Sequence, residues 1–155
     1  MDHNPEPVLI VADNEIVYIN KAGLELIDAS SKDELLGKSP FSFIISDHQE
    51  QMKQRIATLS KGELVKPAEY QVRTLNGEKK SVRSHSVSVK YKGKDAIQSV
   101  LIDITDLKER EKKLERSEQK WQHLVEENPQ QVYVTIDGEF VFINEAGAEI
   151  YGADS

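Results

Sequence analysis

The chain has 155 residues, enough for one ordinary domain and some extra, with 30% charged residues and a net charge of −7. An acidic surface of this kind argues against nucleic acid and anionic membranes as direct partners. The absence of cysteine excludes disulfides, thiolate metal sites and thiol nucleophiles. The opening MDHNPEP lacks a basic segment leading into an apolar one, and no apolar run reaches membrane-spanning length, so a cytoplasmic setting is expected.

In chain order, two short β-branched runs, VLIV and IVYI, flank ADNE, where Asn14 tolerates the positive φ of a tight hairpin. Asn20 ends the second run and is placed to cap a following helix. Ser31 with Glu34, and Asp47 with Glu50, have the spacing of capping boxes. The second of these opens a longer helix whose Met52, Ile56 and Leu59 share one face and which Gly62 ends. The stretch from Pro67 to Thr105 reads as three antiparallel strands, turned at Asn76-Gly77 and at Lys92-Gly93-Lys94. The last of them, SVLIDI, is apolar enough for a central strand.

From Leu107 the pattern becomes one charged helix without Gly or Pro, with helix-stabilising pairs such as Asp106–Arg110 and Glu109–Lys113. Leu107, Leu114 and Trp121 recur every seventh residue and form a thin apolar seam for a partner helix. The opening phrase then returns. Residues 4–31 align with 128–155 without a gap, bringing Asn4, Pro5, Val8, Asp13, Glu15, Val17, Ile19, Asn20, Ala22, Gly23, Glu25 and Ala29 onto identical residues. Copies this far apart are duplicated domains, not solenoid repeats. The second copy supplies only a hairpin and a helix start, and a lone hairpin is marginal in water. Cover for Val132, Val134 and Phe142 is expected from a partner chain.

Four stretches in order, VYINKAG, DELLGKS, LNGEKKSV and DITDLKERE, resemble those of a PAS domain, the sensory module of many bacterial sensor kinases and related signalling proteins. The resemblance implies an α+β fold: a five-stranded antiparallel sheet with helices on one face, followed by a long C-terminal signalling helix. The corresponding division is a PAS domain over 5–106, a helical, coiled-coil linker over 107–127, and the N-terminal fragment of a second PAS domain over 128–155. It further implies a non-enzymatic input module of a sensor histidine kinase, or of a diguanylate cyclase or similar output, acting as a homodimer on an output domain of the same parent chain. A protein–protein interaction and dimerisation module without a small-molecule ligand is the alternative.

PAS domains that sense light through a covalent flavin adduct or coumaric acid need a cysteine, which this chain lacks. Nothing specifies a non-covalent flavin. His48 sits near the position of a haem ligand in oxygen-sensing members, but their distal arginine corresponds to a position near Ala68 here. No cofactor or metal is expected. Alternation along the fourth strand sets Val82, Ser84, Ser86 and Ser88 on one face and Arg83, His85, Val87 and Val89 on the other. If the serine face looks inward, it forms a pocket wall opposite Met52 and Ile56, completed by Tyr70 and Val72, suited to a small polar metabolite. The competing reading is that these serines merely fill a tight sheet–helix interface or face solvent. Asp103 and Thr105 match the family's strand-exit signature, and Thr105 is placed to cap the exit helix. The resemblance makes that junction the point where strain in the sheet becomes helix rotation.

Overall fold

The computed structural model describes residues 5–152; His3, Asn4 and residues 153–155 lie outside this range. The chain divides into two compact units, Met1–Lys108 and Glu109–Ser155.

In the first unit, β1 (Val8–Ala12) and β2 (Glu15–Ile19) are joined at Asp13 and Asn14, whose φ values of 50° and 64° make a two-residue type I′ turn. The turn's twist matches that of the strands, so the β-branched runs on either side pair at once. α1 (Lys21–Leu26) follows directly, because Asn20 Oδ1 accepts the Gly23 N–H at 2.9 Å. The same oxygen also accepts the Val8 N–H at 2.9 Å, and Nδ2 donates to the Glu6 carbonyl at 2.8 Å. One buried amide therefore fixes both the helix start and the entry to the sheet. Gly23 must be glycine for close approach: a Cβ there would lie 2.5 Å from Ile19 Cγ1.

Three 3-10 turns connect α1 to α2 (Gln49–Ser60). Glu34 accepts the Ser30 and Ser31 N–H groups around the first turn, so the Ser31–Glu34 spacing does organise a helix start. The Asp47–Glu50 box does not form. The chain is already in a 3-10 turn over Ser46–His48 and runs straight into α2, leaving His48 at the cap position without a side-chain cap bond. Gln49 anchors the start instead, its Nε2 donating to the Phe41 and Ile44 carbonyls, each at 3.2 Å.

β3 (Ala68–Arg73), β4 (Lys79–Tyr91) and β5 (Lys94–Asp103) complete one antiparallel sheet of order β2-β1-β5-β4-β3. β5, which carries the apolar run Val100–Ile102 near its end, is central. At Asn76-Gly77 only Gly77 has positive φ, 83°, and its N–H returns to the Thr74 carbonyl at 3.0 Å. The hairpin is thus a wider turn with a left-handed glycine, not the two-residue type I′ turn that Lys92 and Gly93 make with φ of 49° and 80°. One sheet face packs a core of Val11, Ile16, Ile19, Leu26, Leu35, Tyr70, Val82 and Leu101 under the helices. Burying each such side chain is worth about 1.5–3 kcal/mol. A smaller cluster of Ile10, Ala12 and Ala96 lies apart from it, with Val17, Tyr18, Val89 and Tyr91 packed around it. α3 (Thr105–Glu126) leaves the end of β5.

In the second unit, β6 (Tyr133–Ile136) and β7 (Glu139–Ile143) form a two-stranded sheet, followed by α4 (Glu145–Tyr151). The repeat extends to fine detail. Asp137 and Gly138 make the type I′ turn, and the β6 register shifts between Val134 and Thr135 as β1 shifts between Ile10 and Val11. Asn144 Oδ1 accepts Gly147 N–H at 3.0 Å and Val132 N–H at 2.9 Å, as Asn20 does in the first copy. Cover for the hairpin comes in part from its own chain. Trp121 of α3 packs against Phe142 at a tilt of 56°, with ring centroids 5.3 Å apart, and Asn144 Nδ2 donates to the Val125 carbonyl at 3.0 Å. This corrects the expectation that cover comes from a partner alone, although Ile136, Phe140 and Val141 stay exposed.

Candidate functional site

Between the inner face of the first unit's sheet and its helices lies a cavity of about 90 Å³. Of the residues expected to wall it, Met52, Ile56, Tyr70, Val72 and Ser86 do line it. Val82 and Ser84 do not. Both point inward as the alternation requires, but Val82 is consumed by the packed core, and Ser84 lies behind the wall with its hydroxyl 3.0 Å from Ser86 Oγ. Ser88 Oγ donates to the Leu59 carbonyl and so ties β4 to the end of α2. His48 is not among the lining residues.

Two polar lining residues were not foreseen. Ser99 on β5 is the register partner of Ser86, and their hydroxyls are 2.8 Å apart. The hydroxyls of Ser84, Ser86 and Ser99 therefore form a chain across two strands. Arg55 lies three residues after Met52 and four before Leu59, so it borders the apolar stripe of α2, a placement that helical spacing alone could have shown. Its Nη1 donates to the Lys66 carbonyl. Burial pushes the Tyr70 phenol above its ordinary pKa, against the opposing effects of Ser84 and the Arg55 charge. Burial likewise lowers Arg55 from its ordinary value.

The strand exit is built from three residues. Asp103 Oδ1 accepts the Thr105 N–H at 3.0 Å and the Thr105 hydroxyl at 2.5 Å. Thr105 Oγ1 in turn accepts the Ser81 N–H at 3.1 Å, and Ser81 O accepts the Ile104 N–H at 2.8 Å. Thr105 is the first residue of α3, so its hydroxyl holds β4 instead of capping the helix; the carboxylate of Asp103 takes the capping role. One turn later, Lys108 Nζ lies 2.6 Å from Glu69 Oε2 on β3, and Arg83 Nη2 lies 2.8 Å from Glu69 Oε1. Hydrogen bonds from Lys108 first and Arg83 second hold the Glu69 carboxyl below its usual pKa. Along α3, Leu107, Leu114 and Trp121 are 45%, 63% and 47% exposed.

Among the described residues no group of three or more His, Asp or Glu is placed to hold a metal ion, and no helix is long and apolar enough to cross a membrane.

The first unit is thus an antiparallel five-stranded sheet with a helix-covered cavity and a hydrogen-bonded exit helix. A family model described as PAS domain matches residues 5–106, and the chain belongs to the PAS family. Over 153 residues, 99% of its length, it is 31% identical to sporulation kinase A of Bacillus subtilis (strain 168), and it spans 25% of that kinase. Among solved structures, it is similar to the PAS domain of an HTR-like protein from Haloarcula marismortui, at 20% identity and a TM-score of 0.58, covering 66% of this chain and 84% of that one. It is also similar to a sensory box histidine kinase/response regulator from Burkholderia thailandensis E264, at 17% identity and a TM-score of 0.58, covering 76% of this chain and 91% of the other.

Proposed function

We propose that the first unit is the signal-input domain of a cytoplasmic, multidomain sensor kinase, binding a small molecule in its cavity and passing the signal through α3 to an output domain. One observation carries this reading: β4 supplies both Ser86, in the cavity wall, and Ser81, whose N–H and C=O hold the start of α3. A change at the wall thus has only five residues of one strand to travel. Asp103 and Thr105 form the junction in this scheme. Leu107, Leu114 and Trp121 form the seam of a parallel homodimer, consistent with their exposure. The kinase output is carried over from the similarity to sporulation kinase A. No cofactor, nucleic acid or direct membrane contact enters the scheme. Autophosphorylation of the full-length protein tests it. Thr105→Val should change output or its response to signal while leaving ligand affinity within about twofold, since the hydroxyl it removes lies at the junction. Unchanged output and response would refute it.

The cavity's small volume favours a second reading in one respect. Pockets for larger ligands run to roughly 300–1,000 Å³, so a protein partner on the sheet or on α3 could be the only signal. Mass spectrometry under native conditions separates the two, because bound small molecule adds mass to the protein that a pure interaction module would not show.

A further inference from the structure

The polar groups around the cavity are largely spent on one another or on the backbone. Ser86 Oγ lies 3.0 Å from Ser84 Oγ and 2.8 Å from Ser99 Oγ, so two serines already occupy it. Ser88 turns its hydroxyl to the Leu59 carbonyl. Among the described residues, Arg55 is the one charged residue in the wall, and no carboxylate lines it. Arg55 Nη1 donates to the Lys66 carbonyl, and its Nη2 is closed to water and to any guest alike. Tyr70 stays an uncharged phenol, because burial raises its pKa. The rest of the wall is apolar, with Val11, Ile19, Leu35, Ile44, Met52 and Leu101 among its residues.

We infer that the cavity binds a short, neutral, chiefly hydrocarbon molecule with at most one uncharged polar group, not the small polar metabolite that the serine-bearing face of β4 leads one to expect. Charge of either sign is excluded. A buried carboxylate or phosphate finds no open donor on Arg55, and a buried ammonium finds no carboxylate. An ion left unpaired in apolar surroundings is prohibitive. A polyol meets the same difficulty in smaller measure, since each hydroxyl without a partner gives up its bonds to water. Size follows from volume: about 90 Å³ admits only a few heavy atoms. Apolar cavities of this order stay dry and take in small apolar guests; one of roughly 150 Å³ holds benzene or xenon.

This inference rests on the cavity being the ligand site, and one set of titrations tests the two separately. Backbone amide spectra of the whole chain are recorded with butan-1-ol at millimolar concentrations, and with sodium butanoate, butylammonium chloride and glycerol. Saturable shifts at α2, β4 and β5 are expected for butanol, with affinity about tenfold or more above each of the others. Ile56→Phe and Met52→Phe, at half-buried positions of α2, fill the space and should each weaken butanol about tenfold. Xenon pressure on the unaltered protein locates the guest without any substitution, and its shifts should fall on the same three elements. Butanoate, butylammonium or glycerol binding as tightly as butanol would overturn the neutral-ligand assignment and leave the cavity as a site for polar ligands. If no compound gives saturable shifts, if butanol binding survives both substitutions, or if the xenon shifts lie elsewhere, the ligand-site reading falls with it.

Discussion

Thr105 binds Asp103 twice through one oxygen, with its N–H at 3.0 Å and its hydroxyl at 2.5 Å from Asp103 Oδ1, while its own Oγ1 receives the Ser81 N–H. A single hydroxyl is donor to the last residue of β5 and acceptor from β4. The start of α3 is consequently registered against two strands at once, and a shift in either strand moves the helix start.

Removing that hydroxyl should cost local stability. Thr105→Val keeps the shape but loses both side-chain bonds, and an expected loss of about 0.5–2 kcal/mol follows from the magnitude of cap removal. Denaturant unfolding measures it. Thr105→Ser should restore most of the loss, and combining Thr105→Val with Asp103→Ala should cost less than the sum, because the two residues share one network.

Glu69 makes the first turn of α3 sensitive to pH. Its folded-state pKa lies below the unfolded value of about 4.3, so the stability it adds is present above that value and is lost as pH falls through the lower folded one. Its side chain and that of Lys108 are each 37% exposed, so the pair belongs to the weak surface class at about 0.2–1 kcal/mol, screened by salt. Glu69→Gln should flatten the stability-versus-pH curve below about pH 4.3 at low salt and have little effect at high salt.

The repeated glycines offer a paired test. Gly23→Ala would put a Cβ 2.5 Å from Ile19 Cγ1 and should destabilise the first unit by about 1–3 kcal/mol, as overpacking does. Gly147→Ala meets Ile143 Cγ1 at 2.7 Å and should disturb only the second unit. Amide exchange resolved by unit distinguishes the two.

Trp121 is the only tryptophan, and its ring rests on Phe142. Phe142→Ala should therefore shift its fluorescence to longer wavelength as the indole gains water. Leu114→Glu should move sedimentation toward monomer if α3 is the dimer seam; an unchanged dimer would place the interface elsewhere.

Elements governed by local backbone chemistry were legible in the sequence. Positive-φ residues marked the type I′ turns, Asn20 and Asn144 marked helix starts, and the apolar run Val100–Ile102 marked β5 as central. What depends on depth was not. Alternation puts Val82, Ser84 and Ser86 on one face, but only the placement of the helices above that face leaves space at Ser86 and fills it at Val82. Ser99 enters the wall through strand register, which pairs it with Ser86. Arg55, by contrast, was within reach of helical spacing, since it borders the apolar stripe of α2. The Asp47–Glu50 spacing misled because a 3-10 turn already occupied the cap position. Thr105 looked like a cap because its partner, Ser81, is remote in sequence and joined only by the sheet.

The central claim is that β4 connects the cavity wall to the start of α3. It is tested most directly by amide exchange at Ser81 and Thr105 in Ser86→Val, which cuts the hydroxyl chain at the wall and leaves the junction residues intact. Exchange of the Ser81 and Thr105 amides should accelerate about tenfold, equivalent to ~1.4 kcal/mol of local opening free energy, while the β1–β2 amides at Leu9 and Ile19 stay within about twofold. Unaltered protection at Ser81 and Thr105, or an equal change at Leu9 and Ile19, would contradict the claim.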